Sequence, residues 1–430
     1  MPVSKGLKMQ SKEKSKSKID ELTRFVKTNN DSFETKFVVS KLTHSMHMHS
    51  HLNHDVEACI KTILKIDDDS LLSEELVHDF FAGLKYELEN APFFSAESVP
   101  EFTFIDLFAG IGGFRLAMQN LGGRCLYSSE WDSQSQKTYI YNFGDYPFGD
   151  ITKEKTKREV PDNFDVLCAG FPCQAFSIAG RRGGFDDTRG TLFFDAAEII
   201  KHKQPKAFFL ENVKGLVNHA RGKTLATILN VLRNELNYYV PEPQILNAKN
   251  FGVPQNRERV FIVGFRKDLS INNFEYPKNT DNSKTFEDIK EKYPVSVKYY
   301  LSERYLQTLV NHRKRHESKG NGFGFEIIDD NSIANAVVCG GMGRERNLVY
   351  DHRLDEYTPV TNIKGEVNKK GIRRMTPREW ARLQGFPDDF IIPVSDAGAY
   401  KQFGNSVAVP AIQATAGKII ERILPYVERK

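Results

Sequence analysis

A doubly wound α/β sheet with mostly parallel strands is predicted between Glu101 and about Phe265 on two observations. Short apolar strands alternate there with amphipathic helices, and a glycine-rich turn joins the first strand to the first helix. A third observation bounds the class. At 430 residues and 40% hydrophobic content, the chain can bury a full core and divide into two or three domains.

Residues 1–100 precede the sheet. "SKGLKMQSKEKSKSK" is lysine- and serine-rich and reads as a solvated tail, while "SLLSEELVHDFFAGLKYEL" repeats Leu72, Leu76, Phe80 and Leu84 at helical spacing. Between them "HSMHMHSHLNH" holds five histidines with no carboxylate or thiol ligand set beside it, so a polar loop is favoured over a metal site. No metal is expected. The formal charge of +4 is matched by the first twenty residues alone, where six lysines face Glu13 and Asp20. Bulk electrostatics therefore give no argument for nucleic acid, which must come from local placement of Arg and Lys. Five scattered cysteines without a CxxC pair predict reduced thiols, and no window approaches the ~20 apolar residues of a membrane span. A cytoplasmic protein is expected.

The elements follow in order. "FTFIDLF" is the first strand, "GFRLAMQNL" the first helix, "RCLYSSE" the second strand and "DSQSQKTYIYNF" the second helix. "FDVLCA" and "KAFFLE" are buried strands joined through the helix "TLFFDAAEIIKH", and "LNAKNFGV" and "RVFIVGF" add later strands. "AVPAIQATAGKIIERIL" is a last amphipathic helix. The expected division is an N-terminal extension at 1–100, a catalytic and cofactor-binding domain at 101–270, a smaller domain at 271–395, and a segment at 396–430 that completes the catalytic domain.

"DLFAGIGGF" sits where a nucleotide loop belongs, although its spacing is not GxGxxG, and tight turn packing is the competing explanation. Glu130, at the end of the second strand, can accept from both hydroxyls of a ribose; Trp131 can stack on adenine. Asp150 of "GDIT" sits where another strand should end and can accept from an exocyclic amine. Together they describe a pocket for an adenosine moiety.

Cys173, in "GFPCQAFS", lies in the loop after one strand, and Glu211 of "LENV" ends what should be the adjacent one. A thiol and a carboxylate on loops facing one crevice supply a nucleophile and an acid. Cys168, inside the strand, is read as a small apolar core residue. Carbon 5 of cytosine is a poor nucleophile until a thiolate adds to carbon 6 and an acid engages nitrogen 3. It then becomes enamine-like and can attack the sulfonium methyl of S-adenosylmethionine. A duplex blocks this approach, so the base must swing out of the stack.

In this order the motifs "DLFAGIGGF", "EW", "GDIT", "GFPCQAFS", "RGTLFFD", "ENV", "PQNRERV", "RRMTPREWARLQGFP" and "QFGNSV" closely resemble the bacterial DNA (cytosine-5) methyltransferases of restriction–modification systems, over about residues 101–425. The resemblance implies a Rossmann-like, S-adenosylmethionine-dependent methyltransferase fold with a target-recognition domain. It implies that Cys173 is the nucleophile, that Glu211 engages nitrogen 3, and that Arg259 holds the cytosine carbonyl with Arg257 nearby. Phe108, Ala109, Gly110, Ile111, Gly112, Gly113, Glu130, Trp131, Asp150, Ile151, Gly170, Pro172 and Leu192 would form the cofactor site. Asn405 and Val407 would complete it from the C-terminal end, with the last helix packed back on the first domain. Gln174 and Ser177 would lie on a loop that closes over DNA, and Arg344 and Arg346 are candidate readers of guanine edges, with phosphate contacts or solvated surface as the alternative.

"GGMGRERNLVYDHR" and "NIKGEVN" are most like enzymes that modify the inner cytosine of CCGG. Double-stranded DNA is the implied partner, together with a cognate restriction endonuclease that forms no stable complex, and a monomer is expected. An RNA cytosine-5 methyltransferase, or a methyltransferase whose N-terminal extension also regulates transcription, are the alternatives.

Overall fold

The structure, a computed structural model, describes residues 22, 24–25, 38–44, 62–63, 94, 99–172, 192–280, 283–318, 320, 324–340, 343–354 and 365–428. The lysine-rich tail, most of the histidine tract and the helix anticipated at 70–88 lie outside the described residues.

β1 (Phe102–Leu107), β2 (Gly123–Ser129), β3 (Val166–Gly170) and β4 (Ala207–Val213) lie parallel in the order β2-β1-β3-β4. They are followed in the chain by β5 (Tyr238–Tyr239), β6 (Gln244–Asn247), β7 (Gln255–Asn256) and β8 (Glu258–Arg266). β8 runs antiparallel to β4 and pairs in turn with β5 and β6. Because side chains alternate along a strand, each buried strand feeds two cores. Phe104, Cys168, Phe209 and Val263 enter the core beneath the helices Gly113–Gln119 and Val409–Ile423, while Ile105, Leu167, Phe208 and Ile262 enter the other. Helix Leu192–Lys203 is the crossover between β3 and β4, as the sequence predicts, and it contributes Phe193, Ala197 and Ile200 to the second core.

Two expected strands are shorter than anticipated. The strand expected to end at Asp150 is a single parallel bridge between Phe148 and Ser129; Pro147, which has no N–H, and Gly149 flank it and stop the ladder. "LNAKNFGV" is strand only to Asn247, whose side chain accepts from Lys249 N and turns the chain into the 3-10 turn Ala248–Phe251.

Beyond β8 lies a smaller sheet. β9 (Ile327–Ile328), β11 (Leu348–Tyr350) and β12 (Ile372–Arg374) form it in the order β12-β11-β9, while β10 (Ala334–Asn335) pairs with β7. Helix Glu303–Glu317 closes it through Leu306 and Leu309. The adjacent arginines of β12 point to opposite sides, as strand alternation requires. Arg373 is fully buried and bonds Asp351 at 2.9 Å and both oxygens of Glu379 at 2.7 and 2.8 Å. Glu379 also accepts from Thr376 N, which makes it the capping-box acid of helix Pro377–Leu383. This network ties the small sheet to that helix.

Arg373→Leu should destabilise the protein by about 3–5 kcal/mol, because Glu379 stays buried without its cation and Asp351 keeps only the more exposed Arg353. Urea unfolding checks this, and a loss of less than about 1 kcal/mol would show the network to be dispensable.

Candidate functional site

Four strand ends open onto one cleft of about 650 Å³. Parallel strands collect ligands at their carboxyl ends, and here β1, β2, β3 and β4 contribute Phe108, Glu130, Gly170 and Glu211 respectively. At the first of these ends the chain leaves β1 through Phe108 at φ 56° and Gly110 at φ 56°, conformations that favour glycine. A Cβ on Gly110 would meet nothing within 4 Å, so its backbone faces open space. One on Gly112, at φ 86°, would overlap the Phe143 ring. The Gly110 amide donates to Glu130 Oε2 at 2.8 Å and the Asp132 amide to Oε1 at 2.7 Å. Two amides thus orient the carboxylate, and its remaining lone pairs stay available to a ligand. Burial pushes Glu130 above the usual carboxylate range.

Asp150, Ile151, Pro172, Leu192 and Asn405 also line the cleft, as does Trp131, which is 73% exposed. Ala109, Ile111, Gly113 and Val407 are buried behind the lining, where a Cβ on Gly113 would sit 2.7 Å from Val407. The C-terminal segment is held there by side chains: Lys401 bonds Asp132 at 2.6 Å, and Gln402 reaches Thr138 and Gln134 at 2.9 and 2.8 Å. The last helix packs on the first, with Asn120 donating to Gln413.

In the parallel register of β3 and β4, Gly170 faces Glu211. Glu211 accepts from Arg259 Nε at 3.1 Å, and Arg259 lies opposite Val213 on β8. Despite that cation, burial pushes the Glu211 carboxyl upward, with Arg259 and Arg257 opposing. Arg257 is differently engaged. It is buried and donates to the carbonyls of Val337 at 2.8 Å, Gly404 at 3.3 Å and Ser406 at 2.5 Å. Burial first, then Arg259, pushes it down to about 9. Cys173, Gln174 and Ser177 lie outside the described residues, three to seven positions beyond Gly170.

On the opposite rim Val338 and Cys339 enter the cleft from the small-sheet side. The Cys339 thiol lies 2.7 Å from Asn405 Oδ1, a neighbour that no local sequence signal announces. From there the chain runs to Arg344 and Arg346, both exposed. The residues after each point inward: Glu345 accepts from Tyr305 Oη at 3.2 Å and from Arg374 at 3.0 and 3.1 Å, and Asn347 exchanges bonds with the Asn335 backbone at 2.8 and 3.2 Å. The Arg344 guanidinium stacks on Tyr400 at 5.6 Å. No cluster of three or more metal-binding side chains occurs among the described residues, and no helix there is long and apolar enough to cross a membrane.

Beneath the glycine loop Asp106 is buried, and burial pushes its carboxyl up to about 8, against the pull of Arg115. Unfolded, it titrates near 3.8, so between about pH 4 and 8 the unfolded chain has released a proton that the folded one keeps. Rising pH therefore erodes stability across this window. Asp106→Asn should flatten that slope in thermal unfolding between pH 5 and 8; an unchanged slope would refute the assignment.

A family model described as C-5 cytosine-specific DNA methylase matches residues 102–421. The chain is 68% identical over 360 residues to the type II methyltransferase M.HpaII of Haemophilus parainfluenzae, covering 83% of this chain and 97% of that protein. It is 41% identical over 323 residues to the type II methyltransferase M.HhaI of Haemophilus parahaemolyticus, covering 74% and 93%. Among solved structures, the S. pombe Dnmt2 methyltransferase superposes with a TM-score of 0.54 at 18% identity, over 75% of this chain and 99% of that one. At that identity the likeness is one of fold.

Proposed function

The chain belongs to the C-5 cytosine-specific DNA methylases, and from that premise we propose that it methylates the inner cytosine of CCGG through a covalent bond to Cys173. The observation that carries the site assignment is the β3–β4 register. It sets Glu211, buried and pushed toward its protonated form, beside the strand end that leads in three residues to Cys173.

Cys173 adds as thiolate to carbon 6 of a cytosine swung out of the duplex, and once carbon 5 has taken the methyl group, loss of the carbon 5 proton breaks the carbon 6–sulfur bond and frees the thiolate. Glu211, held by Arg259, engages nitrogen 3, and burial, which raises its pKa, helps it keep a proton. Arg259 is the donor for the cytosine carbonyl. Arg257, whose fork is taken up by three carbonyls, acts as a positioning residue. The cleft fits S-adenosylmethionine: its volume suits a ligand of that size, the open face of Gly110 admits close approach, and Glu130 is presented to a ribose. Phe108, Trp131, Asp150, Ile151, Leu192 and Asn405 would surround it. When bound, it supplies an electrophilic methyl group. The CCGG target rests on the likeness of "GGMGRERNLVYDHR" and "NIKGEVN" to enzymes of that specificity, with Arg344 and Arg346 as readers. The enzyme works as a cytoplasmic monomer and protects DNA from a cognate endonuclease without binding it.

Sequencing genomic DNA from expressing cells with 5-methylcytosine detected at single-base resolution tests this proposal. Methylation at another sequence would overturn the target, and none at all the activity. Cys173→Ser should lose methyl transfer yet hold DNA within about threefold of wild type, since phosphate contacts dominate affinity; retained turnover would remove Cys173 as nucleophile. Arg344→Ala should reduce discrimination against single-base variants of the site by about 5- to 150-fold, the worth of a bidentate guanine contact. Unchanged discrimination in a methylation competition assay would make it a phosphate contact.

A further inference from the structure

The stretch 144–151 enters the cofactor cleft through Gly149, Asp150 and Ile151. It lies beside β2, the edge strand of the main sheet, and its backbone joins that strand at the Phe148–Ser129 bridge. It supports two carboxylates of the cleft. Phe148 accepts from the Glu130 amide at 2.8 Å and donates to Ser128 O at 2.8 Å, so the backbone of Glu130 is set by it. Two and three residues later the same stretch presents Asp150 and Ile151, within about 10 Å of chain from Phe148. From the inside it is anchored by the ion pair of Arg115 with Asp145.

The outside is covered by residues 38–44, a helix of the N-terminal extension. Thr43 Oγ1 accepts from the Tyr146 amide at 2.9 Å, and Ser40 Oγ donates to Pro147 O at 2.9 Å. The His44 ring lies 4.8 Å from the Phe148 ring, which itself stacks on Tyr127 of β2 at 4.9 Å. Val39 and Leu42 are fully buried, and Lys41 reaches Glu159 at 3.4 Å. These contacts fall on the very residues that pair with Glu130 and precede Asp150. They supply the hydrogen bonds that a neighbouring strand would otherwise give to an exposed edge.

We propose that this helix is a positioning element of the cofactor site: it clamps 146–148 against β2 and so holds Glu130 and Asp150 where the cofactor meets them. Residues 38–44 are then a working part of the catalytic domain. The proposal rests on the cofactor assignment made above, and the experiment separates the two.

In the full-length chain, Ser40→Ala, Thr43→Val and His44→Ala are combined, and dissociation constants for S-adenosylmethionine and for a CCGG duplex are measured by calorimetry. The expected result is cofactor binding weakened about tenfold or more, the worth of two lost hydrogen bonds, with DNA binding within about twofold of wild type. Thr43→Ser alone, which keeps the hydroxyl, should bind cofactor as wild type does, whereas Thr43→Val alone should weaken it. Cofactor binding unchanged in the triple variant would overturn the clamp, as would cofactor and DNA binding falling in parallel with a lowered melting temperature. A wild-type chain that binds no S-adenosylmethionine would instead defeat the cofactor assignment itself.

Discussion

A guanidinium buried at the floor of a cleft must find acceptors or cost several kcal/mol, and Arg257 finds them on two remote stretches of chain. Its fork gathers the carbonyls of Val337, Gly404 and Ser406, while two residues earlier Gln255 accepts from Val337 N and donates to Leu383 O and Gln384. Gln384 in turn donates to the carbonyls of Phe403 and Ser406. The motifs "PQNRERV", "RLQGF" and "QFGNSV", over a hundred residues apart at their extremes, are thus one buried polar network. It draws the small-sheet side, the C-terminal segment and β8 together, and the cleft exists only where they meet. Such networks specify a single arrangement because any slip leaves a buried group unpaired.

The electrostatics of the cleft follow from the same closure. Glu211 has two arginines near it and would be an ordinary carboxylate in water, yet burial outweighs them and raises it. Burial lowers Arg257 in the same place. Both shifts have one cause, because removal of water disfavours the charged form of acid and base alike. Arg259, less deeply set, keeps one face for Glu211 and donates with another to the Glu258 carbonyl.

On the small-sheet side, strand alternation divides labour between neighbours. Arg373 turns inward to Asp351 and Glu379, while Arg374 turns to Glu345 and with Tyr305 pins the turn between Arg344 and Arg346. The two exposed arginines therefore stand on a fixed base with an anchored residue between them. Arg344 is further oriented by Tyr400, so less side-chain entropy remains to be lost on contact.

Alternating apolar strands and helices sufficed to predict the parallel sheet, because period-two burial is written locally, and the strand ends carrying Glu130 and Glu211 came with it. The ordered motifs also anticipated Asn405 beside Glu130 and Asp150, and it lines the same cleft. What stayed illegible was non-local. No local pattern distinguishes Arg257 from Arg259, two positions apart on one run; only the fold gives one a ring of carbonyls and the other a carboxylate. The shortened strand before Asp150 was overestimated because Pro147 and Gly149 act through pairing, which exists only once β2 is beside them. Cys339 meets Asn405 across 66 residues. The sequence determined which groups the protein possesses and the strands that carry them, since hydrophobic period and turn chemistry act over a few residues. Tertiary structure decided which were desolvated, paired or left facing the cleft, since burial and hydrogen-bond partners are properties of distant segments brought into contact.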